Sequence, residues 1–415
     1  MFTGMMHDFR IVGFSQEEID KQLIERGEEF EADVSTALPE RKLAFVLSAL
    51  IAAYCLFTAP RGTCFGSRLG VTLVVCAVVW LLSSISWSVS PGETARELVR
   101  VVVYLALCVG LVKKFAPLEL VMMLMVVSVL SIATAVWYEV FVGSYEFVDE
   151  VYRLNGSMHP NSLSRFSVYI AVPAAAFMVL STKHRLSWGV LLLVSFVIIQ
   201  LTACRTSLGS ALAGIVAMAV VYLGARRFVV PAFAGVAALG LLLMLIGIGG
   251  QSAQDSAGGA IAMGRTESVS SMTGRLPLWG ALIERVSDRP LVGFGYGAFW
   301  DTRMIASVHR QIGWYAGHSH NCYMELLVNL GVIGLAIFIC LGVHSLRRCV
   351  DLTQSTRELA YPILGGLLAA SFVNGITEVG CVLPREHAIF TGIYVLAALR
   401  LPTHEYRIAD DRGTS

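Results

Sequence analysis

Four short polar segments carry the side chains best suited to chemistry in an otherwise apolar chain. They are Arg153-Leu-Asn-Gly-Ser-Met-His-Pro-Asn161, Leu201-Thr-Ala-Cys-Arg205-Thr-Ser-Leu-Gly209, a stretch from Thr273 to Trp300, and His318-Ser-His320-Asn321-Cys-Tyr323. Arg205 and Arg275 each bring a guanidinium, which stays charged and grips anionic oxygens with a planar fork. His320 brings an imidazole whose unperturbed pKa of ~6.5 leaves a neutral form free to take a proton near neutral pH. It precedes an apolar run, where the N-terminal end of a helix dipole favours the neutral form. His318, two residues earlier, is expected to point elsewhere. Asn321, Glu325 and Asn329 recur at i, i+4 and i+8 and therefore share one helix face, which either lines a groove or binds helices together. Trp279, Trp300 and Trp314 suit stacking on a ring or anchoring at a membrane interface.

These residues must be positioned by membrane helices. Of the 415 residues 56% are hydrophobic and 15% charged, against roughly 45–50% and 25% in soluble domains. Apolar runs lie near 43–59, 69–87, 98–112, 118–142, 163–181, 186–203, 207–223, 228–249, 321–346, 359–379 and 387–400. Most are long enough to cross a hydrocarbon core of ~30 Å. The expected fold is an all-α polytopic membrane bundle of about 11–12 spans. Residues 1–42 form an acidic tail, 43–400 the membrane domain with one large loop at 250–320, and 401–415 a C-terminal tail.

Basic residues fall in alternate loops, at Arg61 and Arg68, Lys113 and Lys114, Lys183 and Arg185, Arg226 and Arg227, and Arg347 and Arg348. By the positive-inside rule these loops are cytoplasmic, so 88–97, 143–162, 204–206, 250–320 and 380–386 face outward. Eleven spans would then place the N-terminal tail outside, although Arg41 and Lys42 flank the first helix. Ionisable residues such as Arg100, Arg165, Glu325 and Glu378 sit toward the outward side rather than mid-membrane, which favours surface chemistry over ion-coupled transport. The net charge of +1 points to no nucleic-acid partner. The nine cysteines show no metal or redox spacing, and no Asp-x-Asp is present for a metal-bound nucleotide sugar. Gly293-x-Gly-x-Gly297 lacks a surrounding βαβ unit and is not a dinucleotide fingerprint.

From about Leu98 to Leu346 the order of these segments resembles the O-antigen ligase and Wzy-type polymerase superfamily. Arg-x-x-Gly with Pro-Asn is followed by an arginine at a span junction. Next come Gly-Arg with Trp and Pro-Leu-x-Gly-x-Gly, and then His-Asn opening a helix. The stretch Gly293–Trp300 is closest in character to exopolysaccharide polymerases.

The resemblance implies a bacterial cytoplasmic-membrane enzyme with its site facing the periplasm or exterior. Its donor would be a glycan on a polyprenyl diphosphate, attacked by an acceptor hydroxyl with inversion and without a metal or other cofactor. His320 would be the base or acceptor clamp, and Arg205 and Arg275 the diphosphate ligands. Arg153, Asn161, Trp279, Asn321 and Glu325 would bind substrate. Partners would be the lipid-linked donor, the glycan acceptor, membrane lipids and other polysaccharide export components. Polymerisation of repeat units is the expected activity, with ligation to lipid A-core and glycolipid flipping as alternatives.

Overall fold

The computed structural model describes residues 39–60, 65–142, 146–148, 151–180, 184–224, 270–313, 316–380, 382 and 386–400. Helices α1 (Pro39–Thr58), α2 (Arg68–Ser83), α3 (Pro91–Lys114), α4 (Pro117–Val142), α5 (Pro160–Leu180), α6 (Arg185–Leu201) and α7 (Arg205–Tyr222) coincide with the first seven apolar runs. The expected eighth run, 228–249, lies outside the described residues. Within the large loop stand α8 (Ser270–Val286) and α9 (Thr302–Ile312). The chain then continues through α10 (Cys322–Thr356), α11 (Ala360–Asn374) and α12 (Glu386–Leu399). Proline opens α3, α4 and α5, where its missing N–H costs no helical bond.

Among the described residues five helices, α2, α4, α5, α7 and α10, are long and apolar enough to cross a membrane, and α1, α6, α11 and α12 are shorter apolar helices. The protein is a multi-pass helical bundle. Helix α11 is apolar on every side, and all of its residues are buried, as expected for an element at the centre of a bundle. Small residues let it approach α7: a Cβ added to Gly366 would lie 2.6 Å from the Gly214 carbonyl oxygen.

Two ends of the bundle are distinct. At one, Lys114 Nζ donates to Thr58 Oγ1 at 2.7 Å, Gly66 N to Leu399 O at 3.0 Å, and the Arg400 guanidinium to the carbonyls of Val112 and Phe115. Since α1 ends there and is ~30 Å long at 1.5 Å per residue, Pro39 lies toward the opposite end. At that opposite end the segments 84–97, 151–161, 202–206, 289–300, 316–325 and 375–382 meet. Trp87 Nε1 donates to Val292 O at 3.0 Å, Leu154 N to Leu201 O at 2.9 Å, Cys322 N to Gly375 O at 2.7 Å and Tyr296 Oη to Val382 O at 2.8 Å. The segments assigned to one side by charge thus share one end.

Three details depart from the sequence reading. A two-stranded hairpin, β1 (Glu146–Val148) with β2 (Val151–Arg153), interrupts the helices. The run 359–379 is helical only to Asn374, so Glu378 lies beyond the spanning helix. The run 321–346 continues to Thr356 but is broken at Gly331, whose φ of 68° and ψ of −171° are not helical.

Candidate active site

The polar end is organised on Glu378. Asn161, in the first turn of α5, donates from Nδ2 to Glu378 Oε1 at 2.7 Å. One turn further along, Arg165 Nη2 stands 3.7 Å from Glu378 Oε2, while its Nε donates to the Asn161 carbonyl at 3.2 Å. From α8, Arg275 Nη2 reaches 3.9 Å from Glu378 Oε1. Burial of Glu378 opposes its charge, but Arg165, Arg275, His320 and His159 outweigh it and hold the carboxyl below its ordinary value. The buried carboxylate therefore sits in a cationic cradle contributed by three separate parts of the chain.

The support for this cradle is local. Glu139, buried near the end of α4, accepts from Tyr152 Oη and from Gly156 N, both at 2.8 Å. That clamps the segment leading into α5. Arg153 is buried and donates from Nε to Thr202 O at 3.0 Å and from Nη2 to Asn161 Oδ1 at 3.1 Å. It stands behind Asn161 rather than in the cradle. Arg205 is the first residue of α7, and its neighbour Thr206 accepts from Thr377 Oγ1 at 2.9 Å. Arg205 and Glu378 are therefore each one residue from a directly bonded threonine pair.

His320 is delivered by the start of α10. Asn321 caps the helix, its Oδ1 accepting from Tyr323 N at 2.9 Å and Met324 N at 3.1 Å. Just before it, His320 adopts a left-handed φ of 50°, a conformation that costs an L-residue roughly 1–3 kcal/mol. This turn brings the two imidazoles together: His320 N donates to His318 Nδ1 at 3.2 Å, and the ring centroids are 4.0 Å apart. His318 was expected to point elsewhere. No helix separates the two side chains at this turn, so it stands beside His320.

Trp279, Asn321 and Glu325 brace the site. Trp279 Nε1 donates to Ser319 O at 2.9 Å, docking α8 on the histidine turn. Buried Glu325 accepts from Trp300 Nε1 at 2.9 Å, from Ser319 N at 3.0 Å and from Asn329 Nδ2 at 3.0 Å. Asn329 Oδ1 in turn accepts from Gly297 N at 2.9 Å. The polar stripe thus bonds the large loop to α10.

The glycine-rich segment explains the break in α10. Phe294 N and Gly295 N donate to the carbonyls of Val328 and Asn329, each at 2.9 Å, and Val332 N donates to Pro290 O at 2.9 Å. Backbone groups freed at Gly331 are thus satisfied by the loop, as irregular backbone at membrane depth requires. Gly293, Gly295 and Gly297 all have positive φ, and a Cβ at each would fall 2.6 Å from Asn329, Ser88 and Glu97 respectively. Their spacing serves close packing.

Arg275, His320 and Asn161 are accordingly brought to one carboxylate, with Arg205 alongside. Arg153, Trp279, Asn321 and Glu325 lie one layer out. Arg165, Glu378 and His159 were not assigned to the site from the sequence. The available signal was an acid and an arginine of opposite charge, each placed within or beside an apolar run. Among the described residues no group of three His, Cys, Asp or Glu could hold a metal ion.

Residues 189–339, which carry Arg205, Arg275 and His320, match the O-antigen ligase family. The chain is also 30% identical over 154 residues to the exopolysaccharide production protein ExoQ of Rhizobium meliloti (strain 1021). That similarity covers 35% of this chain and 35% of the relative, so the chain spans about a third of the curated relative it matches. Over about a third of its length, this multi-pass helical membrane protein is thus similar to the O-antigen ligase and Wzy-type polymerase superfamily.

Proposed function

We propose that this protein joins polyprenyl-diphosphate-linked oligosaccharide units into a longer glycan at the outer leaflet of the bacterial cytoplasmic membrane. The observation that carries this reading is the convergence of Arg165, Arg275 and Asn161 on Glu378, with electrostatic contact from His320 and Arg205 one residue from a threonine bonded beside Glu378. Several cations at the membrane surface suit a lipid diphosphate, and an imidazole among them suits an acceptor proton.

In the proposed reaction the acceptor hydroxyl oxygen attacks the anomeric carbon of the donor. A new C–O bond forms as the bond to the diphosphate oxygen breaks, and the electron pair leaves with the lipid diphosphate. Attack opposite the leaving group inverts the anomeric carbon. The hydroxyl proton passes to His320, and the Glu378 carboxylate stabilises the imidazolium produced. Arg275 and Arg205 neutralise charge as it develops on the diphosphate. Binding of the donor draws Arg275 from Glu378, a contact loose enough at 3.9 Å to exchange. No step uses a metal.

A second reading, ligation of a finished glycan to lipid A-core, is favoured by the family description matched at 189–339. The chemistry is the same and the acceptor differs. Purified protein in nanodiscs, given the lipid-linked repeat unit, should produce a ladder of products that Arg275→Ala and His320→Ala both abolish. Transfer seen only with lipid A-core would replace polymerisation by ligation. Failure with both acceptors would discard glycan transfer.

A further inference from the structure

Two arginines face Glu378, and they are held in different ways. Arg275 stands 3.9 Å from the carboxylate on a side chain that is 23% exposed, whereas the Arg165 side chain is 9% exposed. Arg165 is also tied to its own helix, with Nε donating to the Asn161 carbonyl at 3.2 Å and Nη2 to Ser162 Oγ at 3.5 Å. Its other terminal nitrogen, Nη1, lies against Gly380, where an added Cβ would overlap it. We propose that Arg165 is the fixed positioning residue of the site, seated on the bare backbone of Gly380, and that it holds Glu378 while Arg275 turns to the donor. The proposal rests on the glycan-transfer reading and adds to it a division of labour between the two arginines.

Three observations support it. The first is that Gly380 is spared a side chain for space and not for backbone freedom. It does not occupy the left-handed region, so its conformation is open to any residue. The atoms that a Cβ would meet are Arg165 Nη1 and Cζ and, at 3.3 Å, His387 Cβ. A methyl at 380 therefore competes with the guanidinium and leaves the backbone alone.

The second observation is the rigidity of the seat. His387, buried in the first turn of α12, also borders this niche and is gripped by α5. Tyr169 Oη and His387 Nδ1 are 3.1 Å apart, and the Phe166 and His387 rings are 5.1 Å apart. Phe166 and Tyr169 thus lock α12 against the stretch of α5 that carries Arg165. The third is sequence distance. Gly380 follows Glu378 by two residues, so the seat and the carboxylate belong to one short segment. With Arg275 engaged elsewhere, Arg165 Nη2 still stands 3.7 Å from Glu378 Oε2, and a buried carboxylate needs such a countercharge.

The test compares wild type with Gly380→Ala, Arg165→Ala and the double variant, as full-length proteins in nanodiscs. The added methyl moves the guanidinium by on the order of 1 Å, which should cost about 10²-fold in single-turnover transfer from the lipid-linked repeat unit. Acting through Arg165, it should cost no more than about twofold once Arg165 is already alanine. An equal cost in both backgrounds would make Gly380 a purely structural glycine and overturn the proposal. Gly380→Ala protein that fails to fold would support the seat if Arg165→Ala restored folding, and would count against it otherwise.

Binding of polyprenyl diphosphate separates positioning from ligation. Arg275→Ala should weaken it, while Gly380→Ala and Arg165→Ala should stay within about twofold of wild type. Equal weakening by Arg165→Ala would make Arg165 a diphosphate ligand and end the division of labour. A last readout needs no transfer. Glu378 faces Arg165, Arg275, His320 and His159, which hold its carboxyl low. With Arg165 displaced, the stability lost in acid should be smaller, and the loss should end at a higher pH, than in wild type. An unchanged acid-side melt would overturn the seat even where glycan ladders persist. The expected melt, from protein that transfers glycan to no acceptor, would keep the seat and discard the transfer reading.

Discussion

Asn161 Nδ2 donates to Glu378 Oε1 at 2.7 Å, joining the first turn of α5 to the segment after α11 across 217 residues of chain. The same asparagine accepts from Arg153 and the same carboxylate faces Arg165 and Arg275. This bond is the hinge on which the candidate site is assembled.

Replacing Glu378 by Gln keeps the shape but leaves Arg165 and Arg275 without their countercharge. Stability at neutral pH should fall by about 1.5–3 kcal/mol, the range for hydrogen bonds to charged groups. The carboxyl is held below its ordinary value, so its stabilisation is full above the unfolded pKa and is lost as pH falls through the lower folded one. Melting curves from neutral to acid pH should show that loss in wild type. An equal acid-side slope in Glu378→Gln would mean another group is responsible.

His320→Ala should reduce transfer by about 10²–10⁴-fold, the usual contribution of a positioned acid or base. His318→Ala should cost less, since its ring packs on His320 and supports that residue's turn. Single-turnover rates on the lipid-linked donor would compare them. Equal losses would make the two rings one functional unit.

Arg275→Lys retains the charge and loses the fork, so it should recover only part of the activity removed by Arg275→Ala. Arg153→Ala should act differently. Its side chain is buried between Thr202 and Asn161, and its loss should appear first as a lower melting temperature, from about 1–3 kcal/mol for the unsatisfied partners. Detergent-solubilised melts beside donor-binding titrations would separate the two kinds of defect.

Gly331→Ala should sharply lower the yield of folded protein. Its φ is 68° and a Cβ there would overlap the Leu291 backbone, where the large loop satisfies the broken helix. Gly280→Ala is the matched control, because a Cβ at that helical position meets nothing within 4 Å. It should leave stability unchanged or raise it by up to ~1 kcal/mol. Size-exclusion profiles of the two variants at equal expression would settle the comparison.

Much of the bundle was legible because water-to-lipid transfer imposes long apolar runs, and the runs within the described residues reappear as helices α1–α7 and α10–α12. The common end of the polar segments was legible for a related reason, since loop charge alternates with each crossing. The break at Gly331 was hidden. A hydropathy profile registers apolar side chains, not the backbone bonds that Phe294, Gly295 and Val332 make across the gap.

The sequence by itself determined which residue types stand at the membrane surface and in what order, because motif spacing and apolar length are properties of the chain. It singled out Arg205, Arg275 and His320 for the reaction and Arg153, Asn161, Trp279, Asn321 and Glu325 for substrate. Only the tertiary structure showed that Trp279 and Glu325 also hydrogen-bond segments of the large loop, and only it brought Arg165 and Glu378 within 3.7 Å. A carboxylate becomes the centre of a site through burial and the arrival of cations from distant segments, and neither can be read along a single strand of residues.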